Sequence, residues 1–382
     1  MKFSGGAAAY VSLDAIRHNY LKIREATPSG AKIMCVIKAD AYGHGAERLA
    51  PLYESLGAGA FGAATVSEAV KIRMTGTKLP ILILGYTPIV CVSELVEYDI
   101  TQSVFSAEYA RALSEAAVSL GKTVKIHVKI DTGMSRIGFV ARTEADVLKI
   151  RDAVTLPGLE PVGIFTHLSS ADIDEREFTL SQLENFSFVS ECLEQKLGKR
   201  LVRHAANSAA IIDYPEFAFD MVRAGIILYG MAPSDMLIGR LGLLPAMKLR
   251  SEVSLVKVVE GGTSVGYSRR FIAEKPTKIA TVQIGYADGF FRYGSRGVAT
   301  LTVCGKSAKT VGNVCMDQLM LDVSDVEGVG MGDEVIIFGE GGRSAEALAS
   351  ELGTICYELT TAVGARVPRV YTENGKIVDI KN

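Results

Sequence analysis

Over the first ~230 residues one pattern recurs about eight times: a short apolar run, then a stretch with helical spacing. The candidate strands are residues 32–37, 60–65, 80–85, 100–106, 124–130, 162–167, 202–206 and 220–226. Short, continuously apolar strands suit a parallel sheet covered on both faces, and parallel neighbours need helical crossovers. Segments 108–120 and 181–197 are two such helices. Eight strands are enough to close a barrel. The expected fold is therefore α/β, a (β/α)8 TIM-type barrel.

The character changes after Met231-Ala232-Pro233-Ser234. Residues 247–259 alternate like a strand with one exposed face. Further β-rich runs cover 278–284, 299–303, 334–338 and 376–380, and only 344–352 and 357–363 look helical. The reading is a barrel domain over 1–235 and a mainly β C-terminal domain over 236–382. Residues 1–12 are the part of the first domain that can extend to the second. The opening Met1-Lys2-Phe3-Ser4-Gly5-Gly6-Ala7-Ala8-Ala9-Tyr10 is short, broken by glycine and soon followed by Asp14 and Arg17. It reads as a first strand or arm rather than a signal peptide.

Composition narrows the function classes. Lys and Arg total 41 against 43 Asp and Glu, with no basic stripe, which disfavours a nucleic-acid partner. No apolar run is long enough to span a bilayer. The six cysteines contain no C-x-x-C pair and several lie in apolar runs, so the expectation is free thiols in a reducing, cytoplasmic compartment. The five histidines form no H-E-x-x-H pattern, and no metal is expected.

Barrel enzymes gather their chemistry at the C-terminal ends of the strands. Lys38 follows the first strand in Val36-Ile37-Lys38-Ala39-Asp40-Ala41-Tyr42-Gly43-His44-Gly45. Burial there would lower its pKa and make the amine a nucleophile. Asp131-Thr132-Gly133-Met134-Ser135-Arg136 follows the fifth strand. His167 closes the sixth, Asn207-Ser208 follow the seventh, and Arg223-Ala224-Gly225 sit at the eighth. The last two loops are the usual phosphate seat of such barrels. Asn207 and Ser208 offer polar side chains, Gly225 allows close backbone approach, and Tyr42 can add a phenol. A nucleophilic lysine with one phosphate seat and no P-loop points to pyridoxal 5′-phosphate.

With these motifs in order, the chain resembles the alanine racemase family. The resemblance rests on the Lys38 segment, residues 129–139 and Arg223-Ala224-Gly225-Ile226-Ile227-Leu228-Tyr229-Gly230. It continues in Val265-Gly266-Tyr267-Ser268-Arg269, Ile284-Gly285-Tyr286-Ala287-Asp288-Gly289 and Asn313-Val314-Cys315-Met316-Asp317. It implies a homodimer whose subunits share each active site. Lys38 would hold the cofactor and act as one catalytic base. Tyr267 from the partner subunit would be the opposite base, Arg223 would meet the pyridine nitrogen, and Tyr42, Ser208, Ile226 and Tyr357 would bind phosphate. Arg136 would reach the cofactor's phenolic oxygen and the substrate carboxylate, and the partner's Met316 would touch substrate through its backbone. Two departures are mild: Ala224 stands where the family often has proline, and Ile137 where leucine is commoner.

Racemisation needs an acid/base group on each face of Cα. Tyrosine titrates near ~10, so its phenolate needs positive charge nearby, and His167 linked through an arginine is a candidate for that tuning. On strand 124–130, Lys125, His127 and Lys129 share a face. That places Lys129 inward beside Arg136, and two adjoining buried cations are costly. The resemblance implies a carbamate on Lys129, an anion that would pair with Arg136. Tyr286 is read as lining the substrate entry, while His127 and His204 are read as structural. Residues 172–177 read as a solvated helix start. The reading is an alanine racemase that supplies D-alanine for cell-wall peptidoglycan. A serine or broad-specificity amino-acid racemase keeps the same fold, and a non-catalytic cofactor carrier or a decarboxylase are further alternatives.

Overall fold

The computed structural model describes residues 6–381. Residues 1–5 of the expected N-terminal strand or arm, and Asn382, lie outside the described residues. The strands in chain order are β1 (Ala8–Ser12), β2 (Lys32–Val36), β3 (Ala60–Ala63), β4 (Ile81–Ile83), β5 (Ile100–Val104) and β6 (Val124–Lys129). There follow β7 (Leu159–Phe165), β8 (Val202–His204), β9 (Met221–Ala224), β10 (Met247–Val259), β11 (Ser264–Val265), β12 (Phe271–Ile272) and β13 (Thr277–Val282). The last are β14 (Thr300–Val303), β15 (Lys306–Val311), β16 (Leu319–Asp322), β17 (Glu334–Phe338), β18 (Arg369–Glu373) and β19 (Lys376–Lys381).

β2 to β9 form an eight-stranded sheet of parallel pairs in the order β8-β7-β6-β5-β4-β3-β2-β9. The Arg223 N–H donates to the Ala206 carbonyl at 2.9 Å and brings the two ends of the sheet together. Each of the eight expected barrel strands is present, most of them shorter than expected. Helices cross over between them, and several start on side-chain caps. Ser12, Ser106 and Thr143 each accept an N–H of the first turn that has no partner inside the helix. The layer between the barrel and its helices is apolar, with Ile33, Cys35, Phe61, Ile83, Val104, Ile126 and Val128 buried in it.

The second sheet runs β13-β16-β15-β14-β17-β10-β1-β18-β19, and a β13–β10 pairing closes its first six strands on themselves. β1 inserts between β10 and β18, so the chain starts in the C-terminal sheet before it enters the barrel. Helices Ala345–Leu352 and Cys356–Ala362 lie between β17 and β18. Strands β11, β12, β15, β16 and β18 have no counterpart in the sequence reading. Among the described residues no helix is long and apolar enough to cross a membrane, and no cluster of three metal-ligating side chains occurs.

Candidate active site

The C-terminal end of the barrel opens into a cavity of about 560 Å³. Eleven of the residues expected at a site line it: Lys38, Tyr42, Lys129, Arg136, His167, Asn207, Ser208, Arg223, Gly225, Ile226 and Tyr357. Tyr267, Tyr286 and Met316 do not line it. Their side chains are exposed on the C-terminal domain, Tyr267 at 68%.

Lys38 does not lead straight into a helix as the glycine-rich sequence suggested. The turn Lys38–Tyr42 is left-handed: Ala39, Asp40, Ala41 and Tyr42 have φ between 51° and 55°. The right-handed helix begins only at Ala46–Ser55. Left-handed geometry costs roughly 1–2 kcal/mol per L-residue, so outside contacts must hold it. Glu68 ties it to the loop after β3, accepting the Ala39 N–H on one carboxylate oxygen and the Ala64 N–H on the other, each at 2.8 Å. The Asp40 carboxylate accepts the Ala46 N–H at 2.7 Å and starts the following helix. Nothing in Ala-Asp-Ala-Tyr signals this turn in sequence, beyond three residues small enough to allow it.

The cavity is cationic. Lys38, Lys129, Arg136 and Arg223 face it against Asp172 and Glu358. Burial lowers the Lys38 pKa, the Arg136 charge lowers it further, and Glu68 partly opposes both. Lys129 is pulled down to about 7, by burial first and Arg223 second. Its amine donates to the Ile130 carbonyl at 2.7 Å. The sequence reading set Lys129 beside a buried Arg136; the buried arginine acting most on Lys129 is instead Arg223, and Arg136 is exposed in the single chain.

Arg223 is held by carbonyls rather than by acids. One terminal nitrogen donates to the His204 carbonyl (2.9 Å) and to His204 Nδ1 (3.1 Å). The other donates to the carbonyls of Thr166 (2.7 Å) and Ala205 (2.9 Å), and approaches His167 Nδ1 at 3.4 Å. Among the described residues its Nε–H has no partner, which leaves that donor for a bound group. His167 is pushed well below its ordinary pKa, by burial and then by Arg223, Arg136, Lys129 and Lys38. It is neutral, and with Nδ1 accepting, the proton sits on Nε2.

The loops after β8 and β9 form a small donor cradle. The Gly225 N–H donates to Ser208 Oγ at 3.0 Å. A Cβ at position 225 would stand 3.0 Å from the Tyr42 hydroxyl, so glycine keeps that space open. The Tyr42 ring lies 5.1 Å from that of Tyr229 and 6.0 Å from that of Tyr357, and burial pushes the Tyr42 phenol up to about 12. Asn207 lines the cavity, but both ends of its amide are engaged. It accepts from Ala210 N–H and donates to the Leu168 carbonyl, so it shapes the loop that presents Ser208. This donor set fits pyridoxal phosphate: neutral phenols and loop amides for the phosphate, a depressed lysine for the aldehyde, and a free guanidinium N–H for the ring nitrogen.

Three features lay beyond the sequence reading. Asp172 and Glu358 line the cavity, although residues 172–177 read as a solvated helix start. His127 and His204, far apart in sequence, share a 2.8 Å hydrogen bond behind Arg223. The loops carrying Tyr286 and Met316 are joined: the Ala287 N–H donates to the Met316 carbonyl at 3.0 Å, and Arg366 bridges Asp288 and Asp317.

The family profile "Alanine racemase, N-terminal domain" matches residues 11–233, and "Alanine racemase, C-terminal domain" matches 246–371. The chain is 43% identical to alanine racemase 1 of Clostridium acetobutylicum, over 98% of this chain and 97% of that protein. It is 45% identical to the alanine racemase of Desulfovibrio desulfuricans, over 96% and 98%. Among solved structures, alanine racemase of Clostridium difficile 630 superposes with a TM-score of 0.93 at 41% identity, covering 100% of this chain and 99% of that one. The Bacillus anthracis alanine racemase with bound L-Ala-P gives 0.92 at 33% identity, with the same coverage.

Proposed function

The chain belongs to the alanine racemase family, a PLP-dependent isomerase family, and from that premise we propose that it interconverts L- and D-alanine with pyridoxal phosphate seated in the barrel cavity. When bound, that cofactor supplies the electron sink that makes the α-proton of a joined amino acid removable. The observation that carries the reading is Lys38, an amine whose pKa burial and Arg136 lower, set at a strained turn and facing a guanidinium and a phenol-lined anion seat in one cavity.

Lys38 both anchors the cofactor and, once free, holds a proton on one face of the substrate Cα. Tyr267 of the partner subunit is the group for the other face, which accounts for its exposure on the single chain. His167 carries its proton on Nε2 and can donate to that phenolate, lowering the cost of its charge. Ser208, Tyr42, Tyr357 and the Ile226 amide hold the phosphate. Arg223 offers Nε–H to the ring nitrogen and cannot protonate it, because guanidinium does not release a proton at working pH. Arg136 takes the substrate carboxylate. The partner's Met316 offers its backbone N–H, while its carbonyl accepts from the Ala287 N–H of its own chain.

Lys129 carries a carbamate. Its pKa near 7 leaves much of the amine neutral at neutral pH. A neutral amine adds CO2 to form an N–C bond and releases one proton. The product anion offsets Arg136 and Arg223. The second domain, 236–382, completes the partner's site, and the product, D-alanine, feeds peptidoglycan synthesis in the cytoplasm.

The test is chiral analysis of purified enzyme incubated with L-alanine in D2O. The expected result is an approach to equal L- and D-alanine with deuterium at Cα. Faster turnover of serine than alanine would move the assignment to a broader racemase; no D-amino acid from any small substrate would overturn it.

A further inference from the structure

A second cavity, of about 370 Å³, lies at the opposite, N-terminal mouth of the barrel. Its floor is apolar, with Met34, Leu82 and Met221 buried in one small cluster. Its rim carries Lys32, Lys78 and Lys125, all exposed. Lys125 pairs with Asp99 at 2.8 Å, while among the described residues Lys32 and Lys78 have no ion-pair partner. Two buried polar side chains line the cavity, Thr101 and His127, the imidazole only 7% exposed. Gly163 lies opposite His127 on β7, and a Cβ there would fall within 2.4–2.5 Å of the imidazole. Glycine at that position makes room for the ring.

The direction of the hydrogen bonds behind His127 is forced. Guanidinium donates and never accepts, so His204 Nδ1 accepts from Arg223 at 3.1 Å. His204 is neutral, because burial holds its pKa well below the ordinary value. Its proton is therefore on Nε2, which donates to His127 Nδ1 at 2.8 Å. His127 is neutral too, held at about 3 by burial and then by Arg223. Its own proton must sit on Nε2, the ring atom with no protein partner among the described residues. The chain that starts at the active-site arginine thus ends in an N–H donor at the far mouth.

We propose that this mouth is a binding site for a small aliphatic carboxylate. A carboxylate oxygen accepts from His127 Nε2–H, Lys32 and Lys78 supply charge at the rim, and the aliphatic tail covers Met34, Leu82 and Met221. A cation is disfavoured by three lysines and an N–H donor, and a bare inorganic anion leaves the apolar floor uncovered.

The test is calorimetric titration of holoenzyme with hexanoate, alongside Lys78→Glu and His127→Phe variants. Lys78 is a rim residue far from Lys38, so its variant keeps basal activity. Expected are a saturable hexanoate site, weakened about tenfold by Lys78→Glu through charge reversal and abolished by His127→Phe. Hexylamine, with the same tail and the opposite charge, does not bind there. Hexanoate binding unchanged in both variants would place it in the catalytic cavity and overturn the proposal. So would absence of saturable binding, or phosphate binding more tightly than hexanoate at the mouth. If His127→Phe does not fold, Lys78→Glu and a crystal grown with hexanoate still decide the matter: density only at the catalytic end refutes the site.

Discussion

Replacing Glu68 by alanine should cripple an enzyme whose catalytic groups it never touches. The carboxylate holds two backbone N–H groups at 2.8 Å, one on Ala39 inside the left-handed turn and one on Ala64 after β3. Four consecutive residues at φ of 51–55° store strain of roughly 4–8 kcal/mol at ~1–2 kcal/mol each. Hydrogen bonds to a charged group contribute ~1.5–3 kcal/mol each, and a half-exposed site takes the lower end. Glu68→Ala should therefore cost about 2–3 kcal/mol in urea denaturation. The turn is where Lys38 is set, and a misplacement near 1 Å costs on the order of 100-fold in rate. Racemisation should fall by that order. Glu68 also raises the Lys38 pKa, so the alkaline side of the rate profile that reports this amine moves to lower pH in the variant. Glu68→Gln keeps one acceptor oxygen and should fall between the two. Stability within ~0.5 kcal/mol of the parent, with unchanged rate, would show that the turn holds itself and that the strain argument is wrong.

Three further outcomes are expected. Mixed dimers of Lys38→Ala and Tyr267→Phe chains, each inactive alone, should regain about a quarter of parent activity, because half of randomly paired dimers carry one intact site of two; no recovery on co-expression means the tyrosine serves its own chain or none. Stripping CO2 should lower activity and bicarbonate should restore it, with a carbamate signal from 13C-labelled bicarbonate lost in Lys129→Gln. An unmodified Lys129, with its folded pKa lowered from 10.5 to about 7, is protonated in the fold only below about 7; between those values the unfolded chain binds the extra proton, so this group's contribution to stability rises with pH and is lost on acidification through 7. Arg223→Lys should lower stability by about 3–5 kcal/mol, since carbonyls of Thr166, Ala205 and His204 lose their donor in a buried setting; a urea midpoint equal to the parent's would contradict the assigned network.

The barrel was readable because most of its strands are buried on both faces, and Ile81–Ile83 or the Ile33-Met34-Cys35-Val36 of β2 stand out as apolar runs whatever surrounds them. The C-terminal sheet was only half readable. Lys306–Val311 is Lys-Ser-Ala-Lys-Thr-Val, exposed at three of six positions, and its pairing with β14 and β16 decides its structure more than its composition does. The reactive residues at strand ends could be found because barrel geometry sends those positions to one rim. What the pattern could not carry was direction and handedness. Asn207 reads as a phosphate donor until its amide is seen bonded to Ala210 and Leu168. His127 and His204 read as packing because the bond between them spans 77 positions. Both gaps have one cause: a side chain's partner across the barrel depends on sheet register, and a single sequence states register only where alternation is strict. Here β6 and β7 slip between Ile126 and His127. That irregularity sets His127 against Gly163 rather than a larger residue, and so opens the line from the far mouth to Arg223.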